Sequence, residues 1–385
     1  MPPFQPLPRS ILILGFAAFF LIGLEQSLFG PAFSALNSRF ALEPGAVGSV
    51  VTSHFLGVTL GTLVSGVILS RLRVRGVALL SSVACGVGLL LVGIAPSWIL
   101  ALLGAFLSGL GFGGISGGFG TLFSSRGRGG SAALSLINAF WGVGSIVGPL
   151  LANRLLERGL NLYFGSAATL FAGLVVAVLI LRFPLGSSAM HTPAGDSAKS
   201  ATAPVFWPLV PFMLMLCCYS GLEVSGSSWM VTYLRQNIPL EAANTVNSLF
   251  WVMLTLGRFL TAPLSLKLSP GQLVLGSSVL ALLSVVFIGF PASSPYAYAA
   301  LGLFCAPIFP MGLAWFASRY PDHVGFTPLV IGSSSLGAAL LPAFTGWGVG
   351  ALGLSSIPLS LSLIGILLLG MALFNTRSGS ARAVS

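Results

Sequence analysis

Apolar runs of membrane-spanning length follow one another along nearly the whole chain, each closed by glycine, proline or charge. A bilayer core of ~30 Å takes about 20 apolar residues per helix. Twelve runs meet that length: 11–36, 45–70, 76–95, 98–124, 131–154 and 163–182, then 208–233, 245–268, 271–290, 295–318, 326–350 and 355–375. Each is predicted helical, because inside lipid a backbone must satisfy its own polar groups. Between the sixth and seventh lies PLGSSAMHTPAGDSAKSATAP, residues 184–204, small, polar and proline-bearing. It reads as a flexible linker. The predicted fold is an all-α membrane protein of twelve transmembrane helices. It divides into an N-terminal six-helix bundle (1–183), a linker (184–205) and a C-terminal six-helix bundle (206–385).

Composition removes the alternatives to a membrane protein. The chain is 55% hydrophobic and 6% charged, where a soluble domain carries about 25% charge. The net charge of +10 would suggest nucleic acid in a soluble protein, but here the placement of the cations explains it. With the N-terminus inside, Arg9, Arg71, Arg73, Arg75, Arg126, Arg128, Arg182, Lys199, Lys267, Arg319, Arg377 and Arg382 fall on the cytoplasmic side. The outer side receives only Arg39, Arg154, Arg158 and Arg235. This positive-inside bias predicts a multi-pass protein with both termini cytoplasmic and no polyanionic partner. The first apolar run is too long for the core of a cleavable signal. Cys85, Cys217, Cys218 and Cys305 all fall in apolar segments without metal-ligand spacing and read as core residues. Arginine and alanine abound while lysine is scarce, which points to a GC-rich bacterium and its cytoplasmic (inner) membrane.

The two halves repeat. GLEQS (23–27) returns as GLEVS (221–225), GTLVSGVILSRLRVRG (61–76) lies over GRFLTAPLSLKLSPGQ (257–272), and TLFSSR (121–126) over AWFASR (314–319). Two six-helix pseudo-repeats in one orientation, joined by a cytoplasmic linker, resemble the major facilitator superfamily.

Glu25 and Glu223 head the candidate functional residues. Each lies about 15 residues from the cytoplasmic end of its helix, roughly 22 Å deep at 1.5 Å per residue. A carboxylate at that depth is costly unless paired, protonated or facing a wet cavity, so it is read as functional by default. Both are candidates for proton coupling, with His54 as a further relay. The competing reading gives each a purely structural partner, with His54 or Arg258 as the nearest cations. Gln26, Asn138, Trp141, Tyr219, Trp229, Asn247, Trp251 and Trp315 also lie within spans. Amides exchange hydrogen bonds and aromatic faces stack on C–H faces, so the set suits a neutral polyhydroxylated ligand; singly, each aromatic reads as packing. Arg71 and Arg258 are candidate gating or charge-partner residues.

Glycines spaced by four serve close helix packing: Gly144 and Gly148, Gly57 and Gly61, Gly109, Gly113 and Gly117. GLGFGG (109–114) fits a dinucleotide fingerprint in letters only, lacking the strand before it and the acid after it. No nucleotide-binding loop or catalytic constellation is legible, so the chain is not expected to be an enzyme or to hold a cofactor.

Finer resemblances follow. SRLRVRG (70–76) is similar to the superfamily's loop between helices two and three, with Ser70 where that loop has an acid. GVGSIVGPLL (142–151) resembles its antiporter glycine-proline motif. YSGLEVSGSSWMVTYL (219–234), SLFWVMLTLGRFL (248–260), NAFWGVGSIVGPLLA (138–152) and GLFCAPIFPMGLAW (302–315) resemble the seventh, eighth, fifth and tenth helices of the fucose–galactose–glucose proton symporters. That resemblance implies a hexose or deoxyhexose substrate and a proton gradient, carried over to Trp251, Phe250, Glu223 and Asn138. Unlike the fucose permeases, helix four here has no carboxylate. Sodium is the alternative coupling ion. The expectation is a monomeric secondary transporter of a monosaccharide, in contact with the lipid bilayer. A proton-driven exporter of amphipathic compounds is the alternative, and a non-transporting receptor or scaffold is the reading from another class.

Overall fold

The computed structural model describes residues 9–43, 45–124, 127–180, 206–320 and 326–380. The interhalf linker, and the side chains of Arg71, Arg73, Arg126 and Arg128, lie outside the described residues. The described chain is all helical: α1 (Arg9–Phe40), α2 (Ser49–Ile94), α3 (Trp98–Ser124), α4 (Gly127–Leu155), α5 (Leu160–Ile180), α6 (Phe206–Leu234), α7 (Leu240–Leu264), α8 (Pro270–Ile288), α9 (Ser294–Cys305), α10 (Ile308–Arg319), α11 (Thr327–Leu352) and α12 (Ser356–Ser380).

Two departures from the expected spans cancel in the number. The second and third spans form one continuous helix, α2, across SRLRVRG. Nothing in that stretch breaks a helix: it holds no proline, and its arginines are good helix formers. The tenth span is instead divided, α9 ending at Cys305 and α10 beginning at Ile308. Pro307 and Pro310 have no N–H, so the carbonyls four residues earlier lose their helical donors. Among the described residues, eleven segments are long and apolar enough to cross a membrane, α2 supplying two of them and α9–α10 together one. The long described helix without such a segment is α7, whose sequence carries Asn244, Asn247, Ser248 and Arg258.

The chain divides into two compact units: residues 1–42 with 49–190, and residues 43–48 with 191–385. In the first, α3 packs along α2, α4 along α1 and α5 along α2. In the second, α11 packs along α6, α9 along α7 and α12 along α6 and α8. Leu, Ile and Phe side chains such as Ile99, Phe259 and Leu363 remain exposed on the helix surfaces, as expected of faces turned to lipid.

Each unit is held by helices that touch backbone to backbone. A Cβ on Gly109 of α3 would overlap the carbonyl oxygen of His54, and one on Gly61 of α2 that of Leu110. In the second unit a Cβ on Gly302 would overlap the carbonyl of Phe250, and one on Gly257 would come 2.6 Å from that of Leu303. These are the same positions under the registers of the sequence repeat, so the duplication reaches individual contacts.

Two arginines close helix ends in the first unit. Arg39 donates from Nη1 to Gly93 O at 2.6 Å and from Nη2 to Ala95 O at 2.9 Å. Arg75 Nη2 donates to Leu179 O at 3.0 Å. The last carbonyls of α2 and α5 have no partners within their own helices, and the guanidinium groups supply them. Arg39→Ala is expected to destabilise the protein by about 1–3 kcal/mol, the loss of two charge-assisted bonds. A thermal midpoint equal to wild type in detergent would refute the clamp.

Candidate functional site

Glu25 sits on α1 between Leu24 and Gln26, with Leu24 and Leu28 fully buried on the same helix. Its carboxyl is 0% exposed, and so is the His54 side chain of α2. His54 Nδ1 lies 3.6 Å from Glu25 Oε1 and 3.3 Å from Ser108 Oγ of α3. Ser108 Oγ donates to Ala105 O at 2.9 Å, so it can accept from Nδ1 only in the form of His54 that carries a proton there. Cys85, on the second half of α2, lies beside Glu25 and within 3.5 Å of Ser108 O. Three phenyl rings enclose the imidazole: Phe29 at 5.0 Å, Phe55 at 5.2 Å and Phe112 at 5.7 Å between centroids.

Local sequence explains this arrangement. Gly109 lets α3 approach until it touches the His54 carbonyl, and that approach brings Ser108 to the imidazole. On the other side of α1, Gly144 and Gly148 of α4 abut Phe20, Leu24 and Ser27. Ser145 Oγ lies 3.1 Å from Gly23 O and 3.0 Å from Trp141 O. The turn bearing Glu25 is therefore fixed from both sides.

Neither Glu25 oxygen nor His54 Nε2 makes a well-formed hydrogen bond among the described residues, while the Cys85 thiol and the Ser108 hydroxyl stand beside the carboxyl. Burying a bare charge here would cost several kcal/mol. One proton shared between the two groups removes that cost: a carboxylic acid donates to Nδ1 when the imidazole carries its proton on Nε2. The pair can thus hold a proton away from the protein surface.

The second unit treats its glutamate differently. The Tyr219 hydroxyl, one helical turn away on α6, donates to Glu223 Oε2. Arg258 of α7 lies within electrostatic range of both. Tyr219 also stacks on Phe309 of α10, 6.1 Å and 30° apart.

The other sequence candidates scatter. Trp229 is buried and its Nε1 donates to Pro342 O at 2.9 Å. Asn247 donates to Ser227 O at 3.0 Å, leaving its buried Oδ1 without a hydrogen bond among the described residues. Trp251 is buried edge-on to Phe250, and Trp315 edge-on to Phe212. Gln26 is half-buried on α1, Trp141 buried and Asn138 exposed on α4. Sequence reasoning missed Ser108 and Cys85. Their only signal was to be small and polar inside an apolar helix, which serine and cysteine commonly are. Among the described residues no group of three His, Cys, Asp or Glu could hold a metal ion.

The comparisons with known proteins agree with this architecture. The family model of the Major Facilitator Superfamily matches residues 15–301. The glucose/mannose transporter GlcP of Bacillus subtilis is 23% identical over 363 residues, 89% of this chain and 88% of that one. The sodium-dependent glucose transporter 1A of Mus musculus is 22% identical, over 86% of this chain and 88% of that one. The crystal structure of a variant of the E. coli fucose:proton symporter FucP superposes with a TM-score of 0.61 at 16% identity, covering 94% of this chain and 98% of that one. At that identity the likeness is one of fold.

Proposed function

Because the chain belongs to the Major Facilitator Superfamily, we propose that this multi-pass transporter moves a monosaccharide by alternating access, coupled to a proton held at Glu25 and His54. The observation that carries the coupling is the pair itself: a carboxyl and an imidazole 3.6 Å apart, wholly buried, with no well-formed hydrogen bond to either carboxyl oxygen among the described residues. A group that must move between charged and neutral forms needs a partner for the proton and a seal against leakage, and both are present. The sugar reading is supported by the similarity to a glucose/mannose transporter and a sodium-dependent glucose transporter. The arginine distribution supports cytoplasmic termini, in the inner membrane of a bacterium.

A second reading, sodium coupling, is favoured by the similarity to the sodium-dependent glucose transporter of the mouse. The exporter alternative draws on GVGSIVGPLL, whose Gly144 and Gly148 pack against α1, and on the many aromatics. The test is uptake of D-glucose, D-mannose, D-galactose and L-fucose into proteoliposomes. A pH gradient, acid outside and without sodium, is expected to drive one of them above equilibrium. Uptake that answers only to a sodium gradient would replace the proton. Drug efflux with no sugar flux would restore the exporter.

A further inference from the structure

The duplicated backbone lets the two glutamates be compared position by position. In the repeat registers Glu25 corresponds to Glu223, His54 to Phe250, Ser108 to Leu301 and Cys85 to Ala281. The backbone contacts agree, since Gly109 abuts the His54 carbonyl as Gly302 abuts that of Phe250. So every polar neighbour of Glu25 has an apolar counterpart in the second unit. The reverse also holds around Glu223: Tyr219 corresponds to Leu21 and Cys305 to Phe112, while Arg258 replaces the neutral Thr62. The frame was kept and the chemistry exchanged.

Around Glu223 stand a donor, the Tyr219 hydroxyl, a cation in electrostatic range, Arg258, and an aromatic face. Tyr219 occupies Oε2. The other oxygen belongs to a residue that is 6% exposed, where Glu25 is 0%. Cys305, in electrostatic range of Glu223, is the last residue of α9, and Phe309 just past the break stacks on the tyrosine that bonds the carboxylate. Pro310 deprives the Ala306 carbonyl of its helical donor, while the Leu303 carbonyl, freed likewise by Pro307, abuts Gly257 of α7. Interrupted helices of this kind expose backbone acceptors only where they are buried in protein or line a cavity. Phe309, half-buried and stacked on Tyr219, contributes an apolar ring face.

We infer that Glu223, oriented by Tyr219, accepts a hydroxyl hydrogen bond from the transported ligand and does not carry the coupling proton, with the α9–α10 break supplying a further acceptor. The ligand class is a neutral ring bearing several hydroxyl donors. This assignment rests on the monosaccharide reading above.

The test is binding of D-glucose, D-mannose, D-galactose, L-fucose and the mono-deoxy analogues of whichever binds, to purified full-length protein. In Glu223→Gln the Tyr219 hydroxyl holds the amide oxygen, which turns the NH2 toward the ligand and sets donor against donor. Affinity is expected to fall about tenfold or more. One deoxy analogue that binds poorly to wild type should then bind the variant as well as its parent sugar does. Gly165→Ala, with nothing within 4 Å of its would-be Cβ, should keep both wild-type affinity and wild-type discrimination among the analogues. Tyr219→Phe preserves the ring and its stack, and gives a smaller loss at the same hydroxyl if Glu223→Gln does not fold. Wild-type affinity in Glu223→Gln, together with loss of pH-driven accumulation, would overturn the inference and leave the sugar reading intact. A wild-type protein that binds none of the sugars would overturn both.

Discussion

Glu25→Gln is expected to abolish uphill accumulation of sugar while exchange of labelled for unlabelled sugar across the same membrane continues. Glutamine keeps the shape of a protonated carboxyl and can still donate toward His54 Nδ1, 3.6 Å from the native oxygen. The fully buried turn that carries it, with Leu24 and Leu28, sees no change in volume, and the three phenyl rings around His54 are left in place. What disappears is the ability to release a proton. A carrier permanently in its neutral form can reorient with or without a gradient, so it equilibrates its substrate and concentrates nothing. The measurement pairs counterflow with accumulation under an imposed pH gradient. Accumulation that survives the substitution would move the coupling elsewhere. Exchange lost along with accumulation would mean that Glu25 supports the structure or the ligand.

The largest effect on stability is expected from Gly144→Val. A Cβ alone would overlap the Phe20 carbonyl oxygen, and backbone cannot rotate aside as a side chain can. The neighbouring helix cannot slide either, because Ser145 ties the same turns of α1 and α4. Overpacking a well-filled interior costs typically 1–3 kcal/mol, and a clash with fixed backbone belongs at or above the top of that range. A fall of roughly 6 °C or more in the thermal midpoint of the first unit follows, at about 2–4 °C per kcal/mol for a unit of 150–250 residues, the range in which that unit (1–42 and 49–190) falls. Gly165 of α5 has nothing within 4 Å of its would-be Cβ, so Gly165→Ala is the control and should unfold with wild type. Equal midpoints for Gly144→Val and the control would refute the close contact of α1 and α4.

The all-helical fold and most of the membrane-length helices were readable because lipid imposes a length and a polarity on every crossing segment. The internal repeat was readable because glycine contacts leave little freedom of sequence. Neighbours across helices were not. A membrane helix is apolar on the lipid side and largely apolar on the protein side, so the period that tells faces apart in soluble helices is faint. His54 could be placed at a depth in the bilayer but not beside Glu25 rather than elsewhere at that depth. Ser108 and Cys85 became visible only once α3 stood against both halves of α2. The continuity of α2 escaped because a run of arginines marks a membrane surface whether or not the helix stops there. The α9–α10 break was signalled by Pro307 and Pro310, but two prolines three apart do not say whether a helix kinks or ends.

The arginine clamps also bear on the buffer in which the protein is handled. Surface ion pairs weaken as salt screens them. Arg39 and Arg75 instead bond to backbone carbonyls, which are dipoles at contact distance with no distant countercharge to screen. Raising the ionic strength during purification therefore leaves the ends of α2 and α5 fastened, and what it loosens is the protein's hold on charged lipid headgroups.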